Sequence, residues 1–342
     1  MQKVTSRRGP GLVFVNNDAS EFVLPNVDRW HRIWLRFVGT MTIVLGGGTA
    51  VATAEAPYSA FKRITLTLQG YRGLGNTVLY SLSGFQASVF LRVENPNYTD
   101  NFAAPVAAGA NAWTFNLMLP ISVGETDFAG MLKLAGDKSA SLTLRIDWAN
   151  ANLAANGTSD VVVLAGGAAN SAILTGTATI VSETFQFLAG EAERLGLRQD
   201  IVHQLTSRQD QVVGTAPFDV PLTIGMFYLR IITLARNNGL YTNALFDLFD
   251  LVVEEAVHPY TVREDEWRGQ ARYRNLSDYP VGVYALDRYW TRTWRDVYDA
   301  TALTAFKETL NIIAAITPPA NLQTIREVAI VTPAAAREPK AA

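Results

Sequence analysis

Three histidines, His31, His203 and His258, are the side chains of this sequence best suited by type to hold a metal or move a proton. A metal centre of the cupin kind needs a cluster of His with a carboxylate, two of the histidines typically one residue apart. Here the three stand far apart and no such pair exists. Nucleophilic catalysis has no better footing, because there is no Cys and no Gly-x-Ser-x-Gly elbow. Gly70-Tyr71-Arg72-Gly73-Leu74-Gly75 resembles a phosphate loop only loosely; it lacks the required glycine order and reads as a turn after a strand. Glu254-Glu255 and the group Glu264, Asp265, Glu266 offer carboxylates for acid and base work. As neighbours at a strand end and in the first turn of a helix, they are better explained by solvation and by the helix dipole. The expectation is a protein that is not an enzyme and carries no metal or cofactor.

Recognition has a stronger candidate. Tyr284, Tyr289, Trp290, Trp294 and Tyr298 are interleaved with Arg288, Arg292 and Arg295. Aromatics and arginine dominate binding hot spots because they bury large rigid area while keeping a polar end satisfied. Tyr289, Trp290, Arg292, Trp294, Arg295 and Tyr298 are therefore the candidate interface, with packing of the loop on its own domain as the competing reading. Asp287, Asp296 and Asp299 offset the arginines, which weakens a nucleic-acid stacking surface. Lys3, Arg7 and Arg8 before Gly9-Pro10 form a second candidate, a short basic arm, mobile until tied down, with attraction for anionic headgroups.

The whole-chain numbers narrow the classes further. At 342 residues the chain exceeds what one hydrophobic core usually serves, so two domains of similar size are expected. Charged residues make up only 18% against 49% hydrophobic, which favours a protein whose surface meets other subunits. A net charge of -2 gives no long-range pull on phosphate backbones, so a direct reader of nucleic acid is not expected. Without Cys, stability must come from packing and subunit contacts, which suits folding in a reducing cytoplasm. No apolar run is long enough to span a bilayer, and Met1 to Pro10 is no signal-peptide core, so the chain is expected to be unexported.

The elements that would position these residues are strands. In Ser141 to Trp148, Leu142, Leu144, Ile146 and Trp148 share one face, and the same alternation recurs in Ile64, Leu66, Leu68 and in Trp113, Phe115, Leu117, Leu119. Several such strands separated by turns indicate a sandwich or barrel. Gly46-Gly47-Gly48, Gly109-Ala110-Asn111 and the long run from Asn150 to Asn170 read as loops. Glu191 to Gln209 is charged with broken helical spacing and reads as a connector. Beyond it, Phe227 to Leu234 and Leu245 to Val253 read as strands. Thr261 with Glu264 forms a capping box for a helix from about Val262 to Asn275. From Leu303 to Ile313, periodicity by itself favours a helix.

Two tracts carry a resemblance to a known family. One is Gly282-Val283-Tyr284-Ala285-Leu286-Asp287, followed by polar residues to Asp299, an apolar run after Ala302, and Glu327-Val328-Ala329-Ile330-Val331. The other is Pro57 to Gly70, with its proline, aromatic, basic pair, alternating strand and glycine. In this order they resemble the double jelly-roll major capsid proteins of tectivirus-like icosahedral viruses. The resemblance implies an all-β fold of two tandem eight-stranded jelly-roll sandwiches with short inserted helices, and it makes 303–313 a strand. The implied division is an N-terminal arm 1–24, a first jelly roll 25–190, a connector 191–211, a second jelly roll 212–333 and a tail 334–342. It further implies a homotrimer forming a pseudo-hexagonal tile of a virion shell assembled in the host cytoplasm. Its expected partners are further copies, minor capsid and vertex proteins, and an internal viral membrane faced by Lys3, Arg7 and Arg8. The rival reading is a carbohydrate-binding or cell-surface β-sandwich protein with the aromatics as a sugar platform.

Overall fold

A computed structural model describes residues 3–25, 29–71, 74–95, 98, 104–123, 132, 134, 140–186, 201–214, 217–254, 257–275, 279–288, 297–313 and 320–331. They divide into two compact units, the first within 1–88 and 100–203, the second within 89–99 and 204–331.

Unit 1 contains strands β1 (Lys3–Val13), β2 (Ala19–Leu24), β3 (Trp30–Val44), β4 (Thr49–Ala52), β5 (Phe61–Gln69) and β6 (Thr77–Leu82), then helix α1 (Gly84–Glu94), whose last turns count with unit 2. It continues with β7 (Gly109–Pro120), β8 (Ser141–Trp148), β9 (Gly157–Thr158), β10 (Val162–Ala165) and β11 (Ser171–Gln186). One sheet has the order β1-β11-β3-β7 and the facing set runs β2-β8-β5-β6. Ile64, Leu66, Leu68, Leu142, Leu144, Ile146, Trp113, Leu117 and Leu119 are all buried, so the alternation read from sequence marks the core face. At its centre Phe37 meets Phe115 at 5.1 Å and Phe61 at 5.7 Å, while Phe61 lies 5.3 Å from Trp148.

Unit 2 is formed by β12 (Ile201–Gln211), whose first three residues count with unit 1, β13 (Pro217–Pro221), β14 (Phe227–Asn237), β15 (Leu240–Tyr241), β16 (Phe246–Val253) and β17 (Val257–Arg263). Helix α2 (Glu264–Asn275) and strands β18 (Val283–Asp287), β19 (Tyr298–Asp299), β20 (Phe306–Ile312) and β21 (Asn321–Val331) complete it. Strand β14 pairs with β21 and β18, β21 with β12, and the second sheet runs β13-β20-β16-β17. If the eight principal strands of each unit are numbered in chain order, both units show the same two sheets, 1-8-3-6 and 2-7-4-5. In both, the helix falls between the fifth and sixth. An eight-stranded antiparallel sandwich in this order is a jelly roll.

Local chemistry explains the helices. Ser83 and Gln86 form a reciprocal capping box at α1: the Ser83 amide donates to Gln86 Oε1 at 3.0 Å and the Gln86 amide to Ser83 Oγ at 3.2 Å. The S-x-x-Q spacing thus marks the start of α1 in the sequence itself. The box expected at Thr261 and Glu264 is displaced by two residues. Glu266 accepts from the Arg263 amide at 3.1 Å, and Thr261, still in β17, donates its hydroxyl to Asp250 instead. Trp267 fixes α2 to the sandwich, 4.3 Å from Phe249 with its indole N–H on the Ala285 carbonyl at 2.9 Å.

Other expectations are corrected by long-range pairing. Residues read as an arm carry β1 and β2; β1 pairs with β11 and β2 with β8. The presumed long loop after Asn150 contains β9 and β10, of which β10 pairs with both β9 and β4. Of the connector, Ile201–Gln211 is strand β12, and 191–200 lies outside the described residues. Phe306–Ile312 is a strand, as the resemblance implied, with Phe306, Glu308, Leu310 and Ile312 all facing inward.

Candidate assembly surfaces

The three histidines do not converge. His31 lies in β3 and its Nδ1 shares a 2.6 Å hydrogen bond with Ser122; His258 in β17 lies 2.5 Å from Asp250; His203 is buried in β12. Among the described residues no three His, Cys, Asp or Glu side chains group as metal ligands.

The acidic pairs are occupied structurally. Glu254, at a positive φ of 50°, accepts from the Thr304 hydroxyl and from the Thr304 amide at 2.6 Å, and these donors hold its carboxyl below the usual range. Glu264 accepts from the Tyr284 hydroxyl at 2.9 Å. Burial, and then that carboxylate, push the Tyr284 phenol well up. Asp265 accepts from the Glu266 amide at 3.0 Å, and Glu266 from the Arg263 amide that precedes α2. Glu255 lies outside the described residues. Gly70, at φ 68°, opens a turn in which the Leu74 amide returns to the Tyr71 carbonyl at 2.8 Å.

Of the candidate interface, Tyr289, Trp290, Arg292, Trp294 and Arg295 lie outside the described residues. Tyr298 stacks on Phe306 at 5.0 Å, with its ring parallel to within 5°. Of the candidate arm, Lys3, Arg7 and Arg8 all lie in β1, with Arg7 and Arg8 exposed.

Sequence periodicity marks one face of each alternating strand as core and leaves the other wet or interfacial. On the outer side of the first sheet of unit 1, Val13, Thr177, Val38 and Thr114 form one cross-strand row. Thr175, Thr40 and Ala112 form the next, and Ile173, Thr42 and Ala110 a third. These three rows hold no charge, and Val13, Val38 and Ile173 are 62%, 47% and 50% exposed. The face becomes charged only further along, at Arg36, then at Arg8 in the row of Val181 and Trp34, and then at the Arg32–Glu183 ion pair, where Glu183 also accepts from Trp34 Nε1 at 3.1 Å. An uncharged, β-branched sheet face of this kind is suited to packing against another protein surface.

No family model matches the sequence, and no characterised relative matches it at significant similarity. Solved structures do. The crystal structure of the Sulfolobus turreted icosahedral virus major capsid protein superposes with a TM-score of 0.72 at 13% identity, covering 96% of this chain and 97% of that one. The fold is that of a double jelly-roll major capsid protein. A double jelly roll from the PBCV-1 virus capsid matches with a TM-score of 0.63 at 12% identity, over 96% of this chain and 95% of its own. The double jelly roll of the major capsid protein from bacteriophage PM2 gives 0.59 at 10% identity, over 98% and 99%. The eight-strand order repeated in unit 1 and unit 2 is thus the tandem arrangement of the double jelly roll, one sandwich per unit.

Proposed function

We propose that this chain is the major capsid protein of an icosahedral virus, building the virion shell by self-assembly. The observation that carries the reading is the identical strand order of two tandem jelly rolls, matched end to end by capsid structures with neither chain leaving a large part uncovered. Two similar sandwiches per chain and three chains give six similar lobes, so the assembling unit is a homotrimer that tiles as a pseudo-hexagon. The uncharged outer face of the first sheet in unit 1 supports this reading, since apolar burial between copies drives such assembly. The segment with Tyr289, Trp290, Arg292, Trp294, Arg295 and Tyr298 is assigned to contacts between subunits. Arg7 and Arg8 on β1, with Lys3, are assigned to the inner side of the shell, where cationic residues attract anionic lipid headgroups. Minor capsid and vertex proteins are the remaining partners, and the chain catalyses no reaction.

Native mass measurement and electron microscopy of the purified protein test the proposal. Trimers that form shells or hexagonal arrays support it. A monomer retained on a glycan column would replace it with the carbohydrate-binding reading.

A further inference from the structure

Strand β20 places one carboxyl where the alternation of a sandwich calls for a hydrocarbon. Glu308 is 0% exposed and follows Phe306 and precedes Leu310 on the inward face. Its cross-strand neighbours are Val220 on β13 and Leu251 on β16, both buried and apolar. Neither carboxyl oxygen has a hydrogen-bond partner among the described residues. The other faces turned toward it contribute Tyr228 from β14, Arg326 from β21 and Asp210 from β12. Lys307 and Thr309, on the opposite face of β20, are engaged by Asp219 instead.

None of the inward groups neutralises a carboxylate. Tyr228 donates its hydroxyl to the Thr223 carbonyl at 2.7 Å. Arg326 donates to the Pro221 carbonyl at 2.8 Å, while its Nε is buried without a partner among the described residues. Asp210, ion-paired to Arg208 at 2.6 Å, adds like charge. An ionised Glu308 would therefore be a buried charge without a bonded counterion, whereas a protonated one is a tolerable polar group.

We propose that Glu308 is a proton-operated latch in unit 2: protonated, it lets the sandwich close with Arg326 held on the Pro221 carbonyl, and ionised, it draws Arg326 inward and loosens the Pro221–Thr223 segment. Burial pushes the Glu308 carboxyl up to about 8, against the pull of Arg326, so the latch changes state just above neutrality. The folded state then binds the proton more tightly than the unfolded chain does. The stability it confers is complete below the ordinary carboxylate value and is lost as pH rises through about 8. Inside that window each pH unit lowers the folding constant by up to about tenfold.

The test uses the full unassembled chain, so its outcome is independent of shell formation. Urea unfolding of the wild type and of Glu308→Gln is followed from about pH 5 to about pH 9, the range the linkage spans. The wild type should lose up to about tenfold in folding constant per unit, and Glu308→Gln should lack that component of the slope. Infrared difference spectra of the wild type should show a protonated carboxyl at neutral pH that disappears on alkalinisation and is absent from Glu308→Gln. Parallel slopes in the two proteins, or a wild-type spectrum without a protonated carboxyl at neutral pH, would overturn the latch. Should Glu308→Gln not fold, the infrared titration of the wild type decides. Arg326→Leu, which removes the cation that favours ionisation, should move the transition to higher pH.

Discussion

Arg230 on β14 and Glu327 on β21 are cross-strand partners whose side chains meet at 2.5 Å with 1% and 3% exposed. Asp287 on β18 adds a second carboxylate at 3.0 Å, and the ring of Phe90 lies 5.8 Å from the guanidinium. Burial works against the Arg230 charge, but Asp287 and Glu327 more than offset it and hold the guanidinium above its usual range. Three strands of one sheet are thereby tied at a single buried point.

Removing one member leaves the others as uncompensated buried charge. Glu327→Ala should destabilise unit 2 by about 3–5 kcal/mol, read from urea unfolding. Replacing Arg230 and Glu327 together by Met and Leu should cost less than either single change. A double-variant loss equal to the sum of the two single losses would show that the pair is not coupled.

Gly39 and Gly176 are cross-strand partners on β3 and β11 under the ring of Phe37. A Cβ on Gly176 would come within 2.6 Å of the Phe37 ring and 2.9 Å of the Val38 carbonyl oxygen. Gly176→Ala should therefore cost about 1–3 kcal/mol through displacement of Phe37. The near-ultraviolet circular dichroism of the surrounding aromatic cluster should change with it.

The capping box of α1 gives a smaller and local effect. Ser83→Ala removes the acceptor for the Gln86 amide and should lower stability by about 1 kcal/mol in thermal unfolding. Ser83→Asp, which keeps an acceptor, should restore most of it.

Trp267 is the anchor of α2, only 2% exposed. Trp267→Ala should cost about 3–5 kcal/mol. Tryptic cleavage at Arg268 and Arg272 should accelerate ahead of global unfolding, since the helix loses its main contact with Phe249 and Tyr284.

Acid sensitivity should appear at the edge of the second sheet. Partial burial works against the Asp219 charge, but Lys307 at 2.7 Å and the Thr309 hydroxyl at 2.7 Å hold its carboxyl below the usual range. A depressed carboxyl contributes stability above its unfolded value and loses it as pH falls through the folded one. Lys307→Met should flatten the acid limb of the stability profile measured by urea unfolding, by lowering stability at neutral pH while leaving it little changed in acid.

How much was legible depended on the range of the interaction. Leu142, Leu144, Ile146 and Trp148 announce a half-buried strand because the side-chain period of two is a local property. The helix near Asn275 was readable for the same reason, though its cap moved from Thr261 to Arg263 once Asp250 claimed the threonine hydroxyl. Strand β1 was hidden because its residues are mostly exposed at a sheet edge, and only β11, more than a hundred and sixty residues later, makes them a strand. The candidate surfaces were partly visible as residue types, but the uncharged rows around Val38 exist only after β1, β3, β7 and β11 are brought into register.

Composition, the absence of Cys and the alternating runs by themselves determined a β-rich chain of two cores without a recognisable catalytic set. The tertiary structure alone decided which strands are neighbours, and so that both units share one strand order, that Arg230 meets Glu327, and that Glu308 is sealed among Val220, Leu251 and Leu310. The physical reason is that pattern fixes the face a side chain takes, whereas pairing across a sandwich is settled by the burial and hydrogen bonding of segments far apart in the chain.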